Sequence, residues 1–137
     1  MGRISVDLKL TSSEDLLLAR KGMLRPEEIR QSTVRGVVDT GATHLVIPAA
    51  VAERLGLPET GEMGVRYADR RRDTRKVVGD MSVELLARES TFRAIVEPNR
   101  TTALVGAIVL EVLDFVADCR NQQLYPRDPN GAVAELE

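Results

Sequence analysis

A chain of 137 residues, 43% hydrophobic and 29% charged, has the make-up of one soluble globular domain with its own core. Its formal charge of -2 excludes the strongly basic balance of a nucleic-acid or membrane-surface binder, and two Phe, two Tyr and no Trp leave little for a base-stacking platform. A single cysteine, Cys119, rules out an intrachain disulfide, and a single histidine, His44, rules out a Cys/His zinc cluster.

Met1-Gly2-Arg3 leads into alternating residues without an apolar signal core. The longest apolar region, Ala103 to Ala117, is interrupted by Glu111 and Asp114 and is too short to span a bilayer. These features predict a cytoplasmic protein that binds no membrane. Ile4, Val6, Leu8 and Leu10 alternate with Ser5, Asp7 and Lys9, the pattern of a strand with one buried face. Thr11 to Asp15 reads as a polar turn and Leu16 to Ala19 as a second strand, so an amino-terminal hairpin is expected.

After a loop around Pro26-Glu27-Glu28, Ile29 to Asp39 reads as a strand that stops in a polar turn, Asp39-Thr40-Gly41-Ala42-Thr43. Asp and Thr bond to nearby backbone and Gly supplies positive φ, so Asp-Thr-Gly can be a plain loop. A buried strand that ends on an acid can equally present a carboxylate for chemistry. His44 either tunes such a site or only caps and packs. Ala49 to Leu55 reads as a helix with Pro48 at its start and Gly56 as its carboxy-terminal cap.

From Gly64 a long hairpin is expected, with arms Val65 to Tyr67 and Thr74 to Val78 and a tip at Asp69 to Asp73. Its basic cluster of Arg66, Arg70, Arg71, Arg72, Arg75 and Lys76 is either a solvated surface with Asp69 and Asp73 interspersed or a preference for acidic substrate segments. Met81, Val83 and Leu85 alternate with Ser82 and Glu84; Arg88-Glu89-Ser90 reads as a turn; and Phe92, Ala94 and Val96 share a face opposite Arg93, Ile95 and Glu97. Ala103-Leu104-Val105-Gly106 follows Pro98-Asn99-Arg100. Ile108 to Val116 reads as an amphipathic helix with Val109, Val112, Leu113 and Val116 on one face and Glu111 and Asp114 toward solvent. Cys119 reads as a core or interface thiol, Arg120-Asn121 as a turn, Gln122 to Tyr125 as a last strand and residues 127–137 as a flexible tail.

The block from Val37 to Pro48, with Asp39-Thr40-Gly41-Ala42 between an apolar pair and Leu45-Val46-Ile47, resembles the catalytic segment of the retroviral-type (retropepsin-like) aspartic proteases, in particular their single-lobe cellular relatives. The resemblance covers residues 1–126. It implies a mainly β, closed-barrel-like fold with one or two short helices. It also implies peptide-bond hydrolysis by a water held between two carboxylates, one ionised and one protonated, as is general for aspartic proteases. Asp39 is then the catalytic acid/base, Thr40 bonds across to a partner loop, and Gly41 and Ala42 complete the loop. Leu104, Val105 and Gly106 match the second apolar-apolar-Gly element that supports the loop, and Tyr67, Ala68, Asp69 and Arg70 fall in the flap.

No other Asp is followed by Thr-Gly or Ser-Gly; Asp73-Thr74 continues into Arg75. One chain supplies half a site, and a homodimer with its two-fold axis between the Asp39 copies supplies the other half. A polypeptide substrate is implied, with no metal, cofactor or nucleic acid. By the same resemblance, Ile4 to Leu10 or Leu124-Tyr125 is a candidate for a sheet shared between subunits. Two features depart from the family. No glycine lies between Gly64 and Gly79, and Ala107-Ile108 and Thr43-His44 stand where retroviral members carry a polar clamp. These departures sustain two alternatives: a catalytically silent module that binds peptides or mediates protein interaction, and an unrelated β-rich domain in which Asp39 only makes a turn.

Overall fold

The computed structural model describes residues 3–136. Strand β1 (Ser5–Ser12) alternates exposed and buried residues along most of its length, and Leu8 and Leu10 are fully buried. Each such leucine contributes roughly 1.5–3 kcal/mol by leaving water. At Ser12 the expected hairpin fails, because Ser12 Oγ accepts a hydrogen bond from Asp15 N at 3.2 Å and residues Ser13–Arg20 coil into helix α1. A serine cap followed by Glu14 and Asp15 in the first turn outweighs the apolar run of Leu16 to Ala19. Leu16 and Leu17 consequently stay about two-fifths exposed.

A 3-10 turn at Pro26–Glu28 leads into β2 (Gln31–Val38), then β3 (Val46–Pro48), α2 (Ala49–Leu55), β4 (Glu59–Arg66), β5 (Arg72–Leu85), β6 (Arg88–Glu97) and β7 (Ala103–Val105). Helix α3 (Ala107–Leu113) and strands β8 (Phe115–Asp118) and β9 (Gln123–Pro126) complete the order. The large sheet runs β1-β2-β7-β3-β6-β5-β4, and β1 also pairs with β5, so six strands close a barrel and β4 stands outside it as the second arm of the β4–β5 hairpin. Closure is antiparallel from Lys9↔Glu84 to Ser12↔Met81, the first of these an opposite-charge cross-strand pair. The core fills this barrel with Leu45, Ile47, Met81, Val83 and Val105, all fully buried.

Helix α2 spans the expected residues, and Gly56 closes it in the left-handed region at φ 59°. The turn between β5 and β6 is Leu86-Ala87, both at positive φ, and not Arg88-Glu89-Ser90. A two-residue hairpin of type I′ has positive φ at both positions to match strand twist, and that geometry is imposed here on residues that do not favour it. Arg88 is thereby freed to reach across to α3, where its guanidinium donates to Leu113 O at 3.0 Å, to Asp114 O at 2.9 Å and to Asp128 O.

Those carbonyls mark an earlier end for α3 than expected. Asp114 turns left-handed at φ 63°, and the chain continues as β8, carrying Val116 with it. The buried face of α3 is Val109, Leu110 and Leu113, while Val112 is 47% exposed, a correction to the expected face. Asp114 is also not solvent-facing: it is buried, and its carboxylate accepts from Arg127 Nε at 2.6 Å and Val133 N at 3.0 Å. Arg127 and Val133 are joined to the domain through these bonds. Cys119 lies exposed at the β8–β9 turn rather than in the core. Ile95, expected with Arg93 and Glu97 on the face opposite Phe92, Ala94 and Val96, is buried, because that face lines the cleft beneath the hairpin. Among the described residues no helix is long and apolar enough to cross a membrane.

Candidate active site

Strand β2 lies between β1 and β7, antiparallel to the first and parallel to the second over Gly36↔Ala103 to Val38↔Val105. Its last bonds fix where the turn begins. Val38 N donates to Ile4 O at 2.9 Å and Asp39 N donates to Val105 O at 3.0 Å. Asp39 then folds the loop onto itself, its Oδ1 accepting from Gly41 N at 2.9 Å and its carbonyl from Ala42 N at 3.1 Å. Asp39, Thr40 and Gly41 are exposed in the single chain, and among the described residues the Thr40 hydroxyl makes no hydrogen bond.

Gly106 explains the second glycine element physically. Its φ of -84° is open to any residue, but a Cβ there would come within 2.7 Å of His44 N and of Thr43 C, both backbone atoms that cannot yield cheaply. Two backbone bonds follow, Ala107 N to Ala42 O at 2.8 Å and Ile108 N to Thr43 O at 3.0 Å. Within the chain, then, the loop and the start of α3 are joined by backbone bonds that do not depend on the side chains of Thr43, Ala107 or Ile108. Leu104 and Val105 stand directly behind the loop, Leu104 pairing with Val37 and with Val46. His44 is half-buried, its backbone against Gly106.

Beside the loop lies a cleft of about 400 Å³, with Ala42, Thr43 and His44 on one wall, Met63, Val65 and Tyr67 on the other, and Ile95 and Leu104 at its base. A recess of about 430 Å³ between α2 and β5, lined by Ala52, Leu57 and Val78, touches none of the Asp39 loop, so size alone does not locate the site.

The second wall is the hairpin. Its tip closes with Tyr67 N donating to Arg71 O and Arg70 N to Tyr67 O, both at 2.9 Å. Arg70 adopts φ 69° and so takes the conformation that glycine would adopt freely. Tyr67 Oη donates to Glu97 Oε2 at 2.7 Å, Arg75 Nε donates to Glu97 Oε1 at 2.8 Å, and the Arg71 guanidinium sits 4.4 Å above the Tyr67 ring. The hydrogen bond to Glu97, together with burial, pushes the Tyr67 hydroxyl above its ordinary pKa. Ala68, Asp69 and Arg70 are exposed.

The structure therefore brings Asp39 to Ala42 together with Leu104 to Gly106, and sets Tyr67 across the cleft from them. The sequence placed Glu97 only on a strand face and Arg75 only in the basic cluster, with nothing to join either to Tyr67. They lie 30 and 8 residues from Tyr67, and only the crossing of β6 under the hairpin unites them. Among the described residues no group of three His, Cys, Asp or Glu side chains is placed to hold a metal.

A sequence model of the family described as aspartyl protease matches residues 26–108, which contain the Asp39 loop, the hairpin and Gly106. Among solved structures, the chain is similar to the retroviral protease-like domain of Ddi1 from Leishmania major, with a TM-score of 0.58 and 17% identity over 93% of this chain and 90% of that one. At that identity the likeness is one of fold, and the fold is retropepsin-like. No curated protein matches the sequence.

Proposed function

The chain belongs to the aspartyl protease family, and from that premise we propose that it is an aspartic endopeptidase, active as a homodimer in which two Asp39 carboxylates share one catalytic water. The observation that carries the reading is the state of Asp39. Its backbone is bonded to β7 on one side and its loop to α3 on the other, while its side chain is exposed and accepts only from Gly41 N among the described residues. A carboxylate held that firmly and left that open suits a reaction in which proton position matters. Two such groups about 3 Å apart share a proton, so one takes a proton from water while the other gives one to the scissile carbonyl.

Two surfaces suit a second copy. Ile108 and Val112, one helical turn apart on α3 and 43% and 47% exposed, present aliphatic surface on the helix that is bonded to the loop through Ile108 N. The β8–β9 ladder is a separate two-stranded sheet containing Leu124-Tyr125, with Tyr125 45% exposed, whereas β1 is committed to the barrel between β2 and β5. The hairpin facing the loop across the cleft serves as the flap. Its attachment through Tyr67, Glu97 and Arg75 also suits the second reading, a module that holds peptide without cleaving it.

The test compares wild type with Asp39→Asn on a proteome-derived peptide library, with sedimentation equilibrium on both. Cleavage by a dimeric wild type, none by the variant, and equal mass and melting temperature for the two are expected. Cleavage by the pure variant overturns the catalytic assignment. A wild type that binds peptides and never cleaves them establishes the silent module instead.

A further inference from the structure

The hairpin is charged unlike the rest of the molecule. Residues 64–76 carry six Arg or Lys and two Asp, while the remainder of the chain carries thirteen cationic and nineteen acidic residues, so a segment of +4 is set on a body of -6. The structure shows how little of that charge is neutralised locally. Arg75 is taken by Glu97 and Asp73, and Lys76 lies near Glu59. Asp69 spends its Oδ1 on Arg71 N, and Asp73 spends its Oδ1 on Thr74 N. Arg66, Arg70, Arg71 and Arg72 form no ion pair among the described residues, and all four are exposed.

Two of these arginines are direct cross-strand partners, Arg66↔Arg72. Like charges opposite each other on a sheet disfavour the pairing, and among the described residues neither arginine forms an ion pair that would relieve it. Next to them, Gly64 pairs with Thr74 and has open space where a Cβ would stand, leaving a trough of about 560 Å³ lined by Gly64, Val65, Arg66, Arg72, Asp73 and Thr74, in which the Asp73 carboxylate is already engaged by Thr74 N and the Arg75 guanidinium. Arg66 borders both this trough and the cleft beside the Asp39 loop. The carboxylate that lines the cleft, Glu97, is engaged by Tyr67 and Arg75 and does not offset the arginines.

We propose that the hairpin recognises acidic polypeptide, an Asp or Glu side chain near the scissile bond seating its carboxylate between Arg66 and Arg72. The inference rests on the protease reading for the peptide's role as substrate. A guanidinium pair binds a carboxylate through directed, charge-assisted hydrogen bonds, and the +4 segment draws acidic chains toward the cleft.

Binding is measured on the Asp39→Asn chain by fluorescence anisotropy with labelled oligo-glutamate, oligo-lysine of equal length and single-stranded oligothymidylate of equal charge. Oligo-glutamate is expected to bind best, to weaken with salt, and to lose about tenfold in affinity on adding Arg66→Gln and Arg72→Gln. Arg66→Lys with Arg72→Lys should retain most of the binding, which separates charge from misfolding. Cleavage sites of the wild type in the peptide library should be enriched in Asp and Glu, and the double Gln variant should lose that enrichment.

Library cleavage without acidic enrichment overturns the inference and leaves the protease reading standing. Oligo-glutamate binding through the two arginines with no cleavage by wild type overturns the protease reading and leaves acidic-polypeptide recognition standing. Tighter binding of oligothymidylate, or equal binding of oligo-lysine, overturns the inference outright.

Discussion

The two walls of the cleft are built in opposite ways. The Asp39 loop is held by main-chain bonds to Val105, Ala107 and Ile108 and by a glycine contact too close for any side chain. The tip of the β4–β5 hairpin is tied to the barrel by side chains, Tyr67 and Arg75 on Glu97, because β5 joins β6 only from Val77 onward. Backbone-set geometry survives most side-chain changes and fails abruptly when a backbone contact is crowded. Geometry set by side chains is graded and can release. A site that must keep an acid still while a substrate enters benefits from one wall of each kind.

The largest expected effect tests the first wall. Gly106→Ala drives a methyl into the Thr43–His44 backbone and should cost about 3 kcal/mol in urea unfolding, with loss of the proposed peptidase activity. A variant as stable and active as wild type would mean that the loop is not fixed by that approach.

The strand behind this wall is also anchored by side chains, and acid exposes one of these anchors. Arg30 donates to Asp15 through N, Nε and Nη2 at 2.8–3.0 Å, fastening α1 to the strand that delivers the loop and holding the Asp15 carboxyl below its ordinary range. Because the folded value is depressed, this stabilisation is full above the unfolded value near 3.8 and is lost as pH falls through the lower folded value. Asp15→Asn should cost on the order of 2 kcal/mol at neutral pH and flatten the decline of melting temperature below about pH 4. Parallel acid profiles for the two proteins would remove Asp15 from the account.

Tyr67→Phe addresses the second wall. Amides at the tip, such as Tyr67 and Arg70, should exchange several-fold faster with solvent, and those of Asp39 and Ala42 should not change. Equal acceleration on both sides would erase the distinction between the walls.

The smallest effect belongs to Arg70→Gly. Relief of positive φ and the greater freedom of the unfolded chain offset each other to within about 0.5 kcal/mol, so the melting temperature should hardly move. A large destabilisation would show that the Arg70 side chain itself secures the tip.

The comparison also separates what could be read directly from the residues. The first wall is legible because its information is local: an apolar strand stopped by Asp-Thr-Gly, a helix bracketed by Pro48 and Gly56, and an apolar pair before Gly106 each state their conformation within a few positions. The alternation of Ile4 to Leu10 likewise fixes the inward face of β1 without reference to its partners. The Ser12 cap was equally local, in Ser12-Ser13-Glu14-Asp15, and outranks the leucines that follow it.

The remaining features depend on pairing at a distance. Whether Leu86-Ala87 or Arg88-Glu89-Ser90 turns the chain is decided by the register of β5 on β6, which overrides turn propensity. Where α3 ends, and why Asp114 is buried, depends on Arg88 and Arg127 arriving from other elements. The Tyr67–Glu97–Arg75 attachment and the unrelieved Arg66–Arg72 pair exist only once the barrel has closed and the hairpin has folded over β6. Sequence by itself determined the loop that presents Asp39, because strand, turn and cap preferences act between neighbours. Only the tertiary structure decided what faces that loop, because charges and hydroxyls far apart in the chain meet according to strand register, which no local pattern encodes.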